Sequence, residues 1–380
     1  MTAKKNMLSG KPIQYPSLTP GLYTYHTSAE SENQFRLHLR VEPDGEGILV
    51  VNAATVLHLN RSATEFAYYL IQGKDNVQIV DEMSKRYEAS REVLMRDVQL
   101  FIDQILYLSR QNDLSPVVTI GFEPHTFNKN LSAPLRLDCC LTHRVFSTKD
   151  DAELAAGELS TDDWKAILTK LHKAGIPHVV FFGGEPTLRE DLTELLAYTE
   201  ELGLVSGLVS SDPSLKNSAV LLPLIEAGLD HLTFSLDTSQ PEALEGLSNI
   251  LDQDLFTCLR LPVRDENVDL ALLRELRQLG ANAFNLLAGG ADSYFRVNQL
   301  RHLADAENIP FVDDMPLTCD PQAADSPATI WDPEIQPVQQ LLIQPDGSLA
   351  ESADNPDTYG NLVREDWTNI WNKVLHQDEV

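Results

Sequence analysis

The sequence is poor in cysteine and has no long hydrophobic run, and both features limit the classes of protein it can encode. Its 380 residues include four cysteines, Cys139, Cys140, Cys258 and Cys319, which are too few and too scattered for a disulfide framework. No apolar run approaches the roughly 20 residues of a membrane span, and no apolar core follows the basic N-terminus as in a signal peptide. We therefore expect a protein of the reducing cytoplasm without a membrane partner.

Basic residues are also scarce relative to acidic ones. The chain has 29 Lys and Arg against 57 Asp and Glu, which gives a formal net charge of −28. Such a field repels phosphate backbones and anionic lipid, so nucleic acid and membrane surfaces are not expected as partners, whereas a cationic peptide or a basic protein would be attracted. The alternative is that the acidity serves only solubility.

The first 112 residues combine short strands with helices, after a flexible tail predicted over 1–22. Period-two alternation predicts three short strands between 35 and 59. Three helices follow, of which the first is predicted to open with a capping box formed by Ser62 and Glu65. A small sheet with three helices predicts a winged-helix-like α+β domain over 23–112.

This order of strands and helices resembles the PqqD-like peptide-chaperone domain, and the resemblance lies in the pattern rather than in any single residue. It implies a domain that binds the leader of a ribosomally made precursor peptide. The leader would add as a strand to the sheet edge, with the third helix as the other wall of a groove. The alternative is a winged-helix domain with a structural role only. The predicted peptide contacts are Val56, His58, Val98 and Ile102.

Beyond a predicted linker at 113–133, apolar strands alternate with amphipathic helices over 134–312. Four helices end at a glycine that leads directly into the next strand, and a left-handed glycine is a common helix C-terminus. Units of about 26 residues without hairpin signals predict an α/β fold with a parallel sheet, curled as a partial TIM-like (β/α) barrel. Its active surface is expected at the carboxyl ends of the strands. The four glycines are Gly175, Gly203, Gly228 and Gly280.

The most specific motif of the chain is the strand end Phe-Phe-Gly-Gly-Glu-Pro-Thr-Leu at 181–188. Two glycines after a strand allow a ligand to approach the backbone closely, and Pro186 suits the first turn of a helix. Glu185 would project a carboxylate between them into the mouth of the barrel. A carboxylate in that position suits an ammonium group.

Within a β/α repeat this motif resembles the radical S-adenosylmethionine (SAM) superfamily, in which the segment binds the methionyl amine of SAM. The resemblance covers about residues 135–312. The end of the third strand, usually Thr-Asn-Gly in that superfamily, here reads Ser210-Ser211-Asp212. The SAM-type pocket that the resemblance implies consists of Gly183, Gly184, Glu185, Pro186, Ser235 and Asp237.

The cysteines that the superfamily uses are replaced at the matching positions. Its members hold a [4Fe–4S] cluster with three cysteines spaced C-x3-C-x2-C after the first strand, where this chain has Val145, Lys149 and Ala152. The adjacent Cys139 and Cys140 lie on the strand itself and point to opposite faces. We therefore predict no iron–sulfur cluster and no metal site. Glu185 is then either a structural relic or part of a pocket that still binds SAM or another ligand.

Residues 313–380 resemble the SPASM or twitch extension of peptide-modifying radical SAM enzymes. The resemblance rests on a Pro-Asp-Gly hairpin at 345–347 and on the segments 359–362 and 367–372. In such extensions a cysteine for an auxiliary cluster follows the hairpin, and this chain has Glu351-Ser352 there. We predict an extension without clusters.

Two functions remain open from the sequence. The first is a cluster-free, radical-SAM-like pseudoenzyme that binds a precursor peptide and presents it to, or pairs with, an active maturase or a second copy of itself. The second is an enzyme that uses the remodelled mouth for non-radical chemistry on a peptide or small molecule, with or without SAM. No catalytic constellation stands out, so catalytic residues stay unassigned. Candidates for the second function are His143, Lys149, Glu185, Asp212 and Asp237.

Overall fold

The chain folds into two compact units, which we describe separately. One contains Met1–Ser132 with Lys173–Pro177, and the other contains Ala133–His172 with His178–Val380. In the part of the chain that the structure describes, no helix is both long and apolar enough to cross a bilayer. The structure is a computed structural model that describes residues 18–27, 35–52, 55–109, 118–119, 132–146, 157–240, 242–264, 267–288, 291–312, 341–351 and 358–376.

The first unit contains a five-stranded sheet in the order β1-β2-β3-β4-β5. Neighbours from β1 to β4 run antiparallel, whereas β5 runs parallel to β4. β1 begins within the predicted tail, whose residues 1–17 lie outside the described ones, and β5 lies within the predicted linker. The sheet therefore extends past both predicted limits of the domain. Its strands are β1 (Gly21–His26), β2 (Arg36–Val41), β3 (Gly47–Val51), β4 (Thr55–Leu59) and β5 (Val118–Thr119).

Three helices cover one face of this sheet: α1 (Arg61–Ile71), α2 (Asn76–Arg86) and α3 (Arg91–Ser109). Alternate residues of β2, β3 and β4 form one buried cluster with an apolar stripe of each helix.

The predicted cap of α1 at Ser62 is wrong, because the side chain of Asn60 accepts the N–H of Ala63 at 3.0 Å. Asn60 has the extended backbone that an N-cap needs, whereas Ser62 already lies inside the helix. The capping box of this unit belongs to α2 instead, where Asp75 and Gln78 form it.

The second unit is built on six parallel strands in chain order, so each strand pairs with the next one along the sequence. This confirms the predicted α/β fold with a parallel sheet, and sequential order is the order of strands in a β/α barrel. The strands are β6 (Arg136–Thr142), β7 (His178–Gly183), β8 (Val205–Ser210), β9 (His231–Ser235), β10 (Phe256–Val263) and β11 (Ala283–Ala288).

Helices connect these strands, and the predicted helix ends are confirmed. Gly175, Gly203, Gly228 and Gly280 all have φ between 72° and 114°, in the left-handed region. The helices are α4 (Thr161–Ala174), α5 (Leu192–Glu201), α6 (Ser218–Glu226), α7 (Ser248–Leu251), α8 (Leu270–Gln278) and α9 (Ala291–Asp305).

The C-terminal residues add three short strands to the same sheet. These are β12 (Leu342–Ile343), β13 (Ser348–Ala350) and β14 (Gly360–Asn361), followed by α10 (Trp367–Leu375). β12 and β13 pair antiparallel around 345–347, which confirms the predicted hairpin. β12 also pairs parallel with β6, so the C-terminal segment continues the parallel sheet instead of forming a separate one.

Candidate functional site

The mouth, by which we mean the carboxyl ends of β6–β11, contains the predicted SAM-type pocket. There β7 ends in Gly183 and Gly184, and both glycines pack on the end of β6. A Cβ atom on Gly183 would clash with the carbonyl oxygen of Thr142, and one on Gly184 with that of Arg144. The N–H groups of Gly184 and Glu185 donate to these two oxygens, both at 2.8 Å. We expected these two glycines to let a ligand approach the backbone. Instead they let the end of β6 pack against it.

Glu185 lies beside this contact, is 1% exposed, and accepts five hydrogen bonds from its own chain. Its Oε1 accepts from the hydroxyl of Ser210 at 2.7 Å, and from the hydroxyl and N–H of Thr187 at 3.0 and 3.3 Å. Its Oε2 accepts from the N–H and hydroxyl of Ser211 at 2.8 and 3.0 Å. The carboxylate therefore ties the turn after β7 to the end of β8.

These five donors occupy the Glu185 carboxylate completely. A carboxylate has about four lone-pair positions, and a buried one needs them satisfied. A ligand amine would have to displace donors that the fold already supplies. Ser210 and Ser211 provide three of the five, and they stand where the superfamily usually has Thr-Asn-Gly. Of these three donors, only the Ser211 hydroxyl depends on the departure from Thr-Asn-Gly, because Thr also carries a hydroxyl and the N–H belongs to the backbone.

The first predicted cluster position, three residues after the end of β6, does not fit an iron–sulfur cluster. Val145 occupies the first predicted ligand position, and its Cγ1 lies 2.8 Å from where a Cβ atom on Gly184 would be. An apolar side chain thus fills the space over that glycine. The other two positions, Lys149 and Ala152, lie outside the described residues.

The nearby cysteines do not fit a cluster either. Cys139 and Cys140 are both fully buried within β6. Burial, with a further contribution from Asp138, raises the pKa of the Cys139 thiol well above its usual value, which opposes the thiolate that iron needs. Cys319 lies outside the described residues. Within the described ranges, no group of three or more His, Cys, Asp or Glu side chains is arranged to hold a metal ion.

A network of charged groups around Arg189 closes the side of the mouth next to β6. The guanidinium is 8% exposed and pairs with both carboxylate oxygens of Asp191, at 2.9 and 2.7 Å. It also donates to the carbonyl oxygens of Leu141 and Leu159, each at 3.2 Å. Leu141 lies where the register of β6 and β7 shifts, so Arg189 satisfies a carbonyl at the irregularity.

Glu158 joins the same network from the other side. It lies 3.6 Å from Arg189 and 3.5 Å from Arg144, and it accepts a short hydrogen bond from the hydroxyl of Thr142. The end of β6, which leads into the predicted cluster loop, is therefore held by ion pairs and hydrogen bonds of the chain itself. Glu158 and Arg189 are not among the site residues predicted from the sequence. The only signal for Arg189 is its place two residues before Asp191.

Asp237 and Ser235, at the end of β9, were predicted to line the same pocket as Glu185. The described hydrogen bonds connect neither of them to Glu185. Asp237 accepts from the N–H and hydroxyl of Ser239 at 3.1 and 2.7 Å and pairs with Arg264 at 3.1 Å. The Ser239 hydrogen bonds and Arg264 hold the pKa of Asp237 below its ordinary value. Asp237 is thus the cap of its own loop.

Ser235 pairs in register with Arg260 on β10, which places the two residues on the same face of the sheet. Arg260 is 2% exposed and donates to Oδ1 of Asn285 at 2.8 Å. Burial lowers the pKa of Arg260 to about 10, so it remains a cation at neutral pH.

The other predicted mouth residues support turns. Pro186 opens a single 3-10 turn, Pro186–Leu188, before α5 begins at Leu192. Asp212 accepts the N–H of Ser214 at 2.8 Å and so caps the next 3-10 turn. His143 lies half-buried just after β6.

The predicted peptide contacts in the first unit do not form one groove. Val98 is fully buried in the core, because the apolar stripe of α3 packs on the sheet, and Ile102 is half-buried at the edge of that core. His58 alternates with the core residues Leu57 and Leu59, so it points to the opposite face of the sheet. Of Val56, the structure describes the backbone alone. Val98 therefore cannot be a contact that a peptide reaches on the surface.

His58 instead lies in a charged environment on that opposite face. Its strand pairs it with Ile48, and Ile48 pairs with Arg40. Arg40 is 1% exposed and forms an ion pair of 2.7 Å with Glu42. Burial and the nearby Arg40 lower the pKa of His58, which favours a neutral imidazole.

Two family profiles match separate segments of the chain. Residues 140–261 match the Radical SAM superfamily, and residues 47–106 match coenzyme PQQ synthesis protein D (PqqD). The first match runs from within β6 to within β10, and the second runs from β3 into α3. Each match covers less than half of the chain, so one segment is similar to the Radical SAM superfamily and another to PqqD.

Individual relatives match the chain over about a third of its length. The PqqA peptide cyclase of Rhodopseudomonas palustris is 39% identical over 122 residues, which are 32% of this chain and 32% of that protein. The Fe-coproporphyrin III synthase of Methanosarcina barkeri is 34% identical over 124 residues, 29% of this chain and 31% of that protein. The chain thus matches about a third of the length of these curated relatives.

A solved structure extends the likeness to most of the fold. Streptococcus suis SuiB bound to the precursor peptide SuiA superimposes with a TM-score of 0.53 and 14% identity, over 90% of this chain and 87% of that one. Identity at that level shows a shared fold alone.

Proposed function

We propose that this chain is a cluster-free, radical-SAM-like pseudoenzyme of modified-peptide biosynthesis. Its first unit binds a ribosomally made precursor peptide, and the whole chain presents that peptide to an active maturase or pairs with that maturase or with a second copy. The second unit, with its SPASM-like C-terminal segment, keeps the fold of the maturases without their metal sites.

The observation that carries this proposal is the satisfied carboxylate of Glu185. A residue that held a ligand amine would keep acceptor positions open toward the mouth, whereas Glu185 has five internal donors and is 1% exposed. Val145 at the first cluster position supports the same conclusion, because its side chain fills the space over Gly184.

The peptide-binding part of the proposal rests on the PqqD match and on charge. The name of the cyclase relative refers to the PqqA peptide, and the SuiB structure contains its precursor SuiA. The net charge of −28 favours a cationic peptide.

The non-radical enzyme is the weaker alternative. Three of its candidate groups, Glu185, Asp212 and Asp237, are engaged in hydrogen bonds that hold turns and strand ends. Their partners are hydroxyl and N–H groups of the same turns and strand ends, and Asp237 also pairs with Arg264. Lys149 lies outside the described residues.

Calorimetry with SAM tests the pocket. We expect no heat of binding with the wild-type protein, while an active radical SAM relative titrated in parallel gives a clear isotherm. Iron and sulfide analysis after anaerobic reconstitution should find no stoichiometric cluster. A stoichiometric iron–sulfur cluster would overturn the pseudoenzyme proposal. SAM binding that the Glu185→Gln substitution abolishes would overturn it as well.

Fluorescence titration with labelled short peptides encoded beside the gene tests the other half. We expect one of them to bind with an affinity that falls as salt rises, because the protein field is strongly negative. If none binds at low salt, peptide presentation is the wrong function.

A further inference from the structure

The edge of β4 is already occupied by a segment of the chain itself. β5 pairs parallel with β4, with Thr55 opposite Val118 and Val56 opposite Thr119. β5 has only two residues, and it lies between the helical part of the first unit and the segment that matches the Radical SAM superfamily. On its other side β4 pairs with β3 along all five of its residues. Both sides of β4 are therefore in use.

The occupied edge is the one to which a precursor peptide would add under the proposed function. A peptide that binds by strand addition needs unpaired N–H and C=O groups on a strand edge, and β5 takes part of that edge. Since one strand edge cannot pair with two strands at once, β5 and the peptide exclude each other at Thr55 and Val56.

The described pairing is short, which suits a removable strand. It joins Thr55 and Val56 of β4 to Val118 and Thr119 of β5. A two-residue parallel pair contributes few hydrogen bonds, and it is maintained by the high effective concentration that a tether gives.

We propose that β5 is an internal placeholder strand that competes with the precursor peptide for the edge of β4. The competition depends on the proposed function, because it needs a peptide that uses this edge. A placeholder protects a hydrophobic sheet edge from pairing with other chains while no peptide is present. It also lowers the apparent peptide affinity in proportion to the fraction of time the edge is open, roughly tenfold for an edge open about a tenth of the time.

Hydrogen exchange on the full-length chain tests the pairing without any precursor peptide. The double variant Val118→Pro/Thr119→Pro removes both N–H donors of β5. The matched control, Val118→Thr/Thr119→Val, keeps two β-branched residues and an intact backbone. We expect amides of the 55–57 segment to exchange roughly tenfold or more faster in the proline variant and at the wild-type rate in the control. Equal exchange in all three proteins would overturn the placeholder.

A synthetic peptide of residues 114–122, added in trans at millimolar concentration, tests the competition. We expect it to restore protection of the 55–57 amides in the proline variant and to change nothing in the wild type. An equal gain of protection in both proteins, or a gain in neither, contradicts the proposal. This probe is independent of the precursor, so a failure of precursor recognition in the fluorescence titration leaves its result readable.

Discussion

The mouth of the parallel sheet and the edge of β4 are both predicted ligand sites, and the chain fills them in different ways. At the mouth, Glu185 is held by five hydrogen bonds from side chains and backbone of two strand ends. At the edge of β4, a two-residue strand provides the only described partner on that side. The mouth is closed by buried, mutually satisfied groups, and the edge is closed by a short backbone pairing.

Under the proposed functions, this difference distinguishes a SAM site that has been lost from a peptide site that is regulated. Opening the mouth would expose a buried carboxylate and break an ion-pair network, which costs several kcal/mol. Opening the edge of β4 breaks a few backbone hydrogen bonds that water or an incoming strand replaces, each with a net value of about 1 kcal/mol. The edge of β4 is therefore the easier of the two sites to open for a ligand.

The largest expected effect is the loss of stability in Gly184→Ala, which tests whether the mouth is closed by backbone contact. Its Cβ would clash with the carbonyl oxygen of Arg144, so we expect a loss of at least about 3 kcal/mol in the free energy of unfolding. All four tryptophans lie after residue 132, so tryptophan fluorescence in a urea titration reports the second unit.

Gly157→Ala is the matched control for this substitution. Gly157 also lies in the second unit, but a Cβ there meets nothing within 4 Å, and its φ of 91° alone should cost about 1 kcal/mol. If the two variants unfold at the same urea concentration, the glycines do not mark a tight strand contact.

Glu185→Gln is expected to destabilise the second unit next most strongly. The amide turns one acceptor into a donor that faces the hydroxyls and N–H groups of Ser210, Ser211 or Thr187, with an expected cost of roughly 2–3 kcal/mol. Glu190→Gln in the same turn is the control, since Glu190 is exposed and should be neutral. A Glu185→Gln protein as stable as the wild type would mean that the carboxylate does not stabilise the fold. The mouth would then not be held more firmly than the edge of β4.

Local patterns predict the fold of the second unit well. Each of the four helix-ending glycines determines its own backbone conformation, and the apolar strands need burial on both faces, so both features can be predicted from a few consecutive residues. The location of the motif at 181–188 on a strand end follows for the same reason. The hairpin at 345–347 depends on turn residues alone and can be predicted from the sequence in the same way.

The state of the site depends on residues far apart in the sequence, and here prediction from the sequence fails. Glu185 is satisfied by Ser210 and Ser211, more than 20 residues away, and the motif itself carries no sign of them. The apolar stripe of α3 identifies Val98 as a residue of a packed face but does not say whether sheet or peptide covers it. β5 has two residues, which is too short for any period to be recognised.

Val98→Ala tests, in the first unit, whether α3 packs on the sheet or forms an exposed wall of a peptide groove. If Val98 is a core residue, as its full burial indicates, removal of two methyl groups should cost about 2 kcal/mol. Leu100→Ala on the same helix is the control, because Leu100 is 57% exposed and should change stability by about 0.5 kcal/mol or less. Hydrogen exchange of α3 amides measures both, and a larger effect for Leu100 would restore α3 as an exposed groove wall.

The smallest expected effect is a dependence on acid, which tests whether the ion pairs around Arg189 contribute to closing the mouth. Burial alone would raise the pKa of Asp191, but hydrogen bonds from Arg189 and Thr161 hold it below its ordinary value. A carboxyl whose pKa is lower in the folded than in the unfolded state stabilises the fold above its unfolded pKa, near 3.9, and loses that contribution as the pH falls through the folded value. The melting temperature followed by tryptophan fluorescence should therefore fall between pH 5 and pH 3 more steeply in the wild type than in Asp191→Asn. Identical slopes would mean that the Arg189–Asp191 pair adds nothing, and that hydrogen bonds to Glu185 and the packing of Gly184 close the mouth without it.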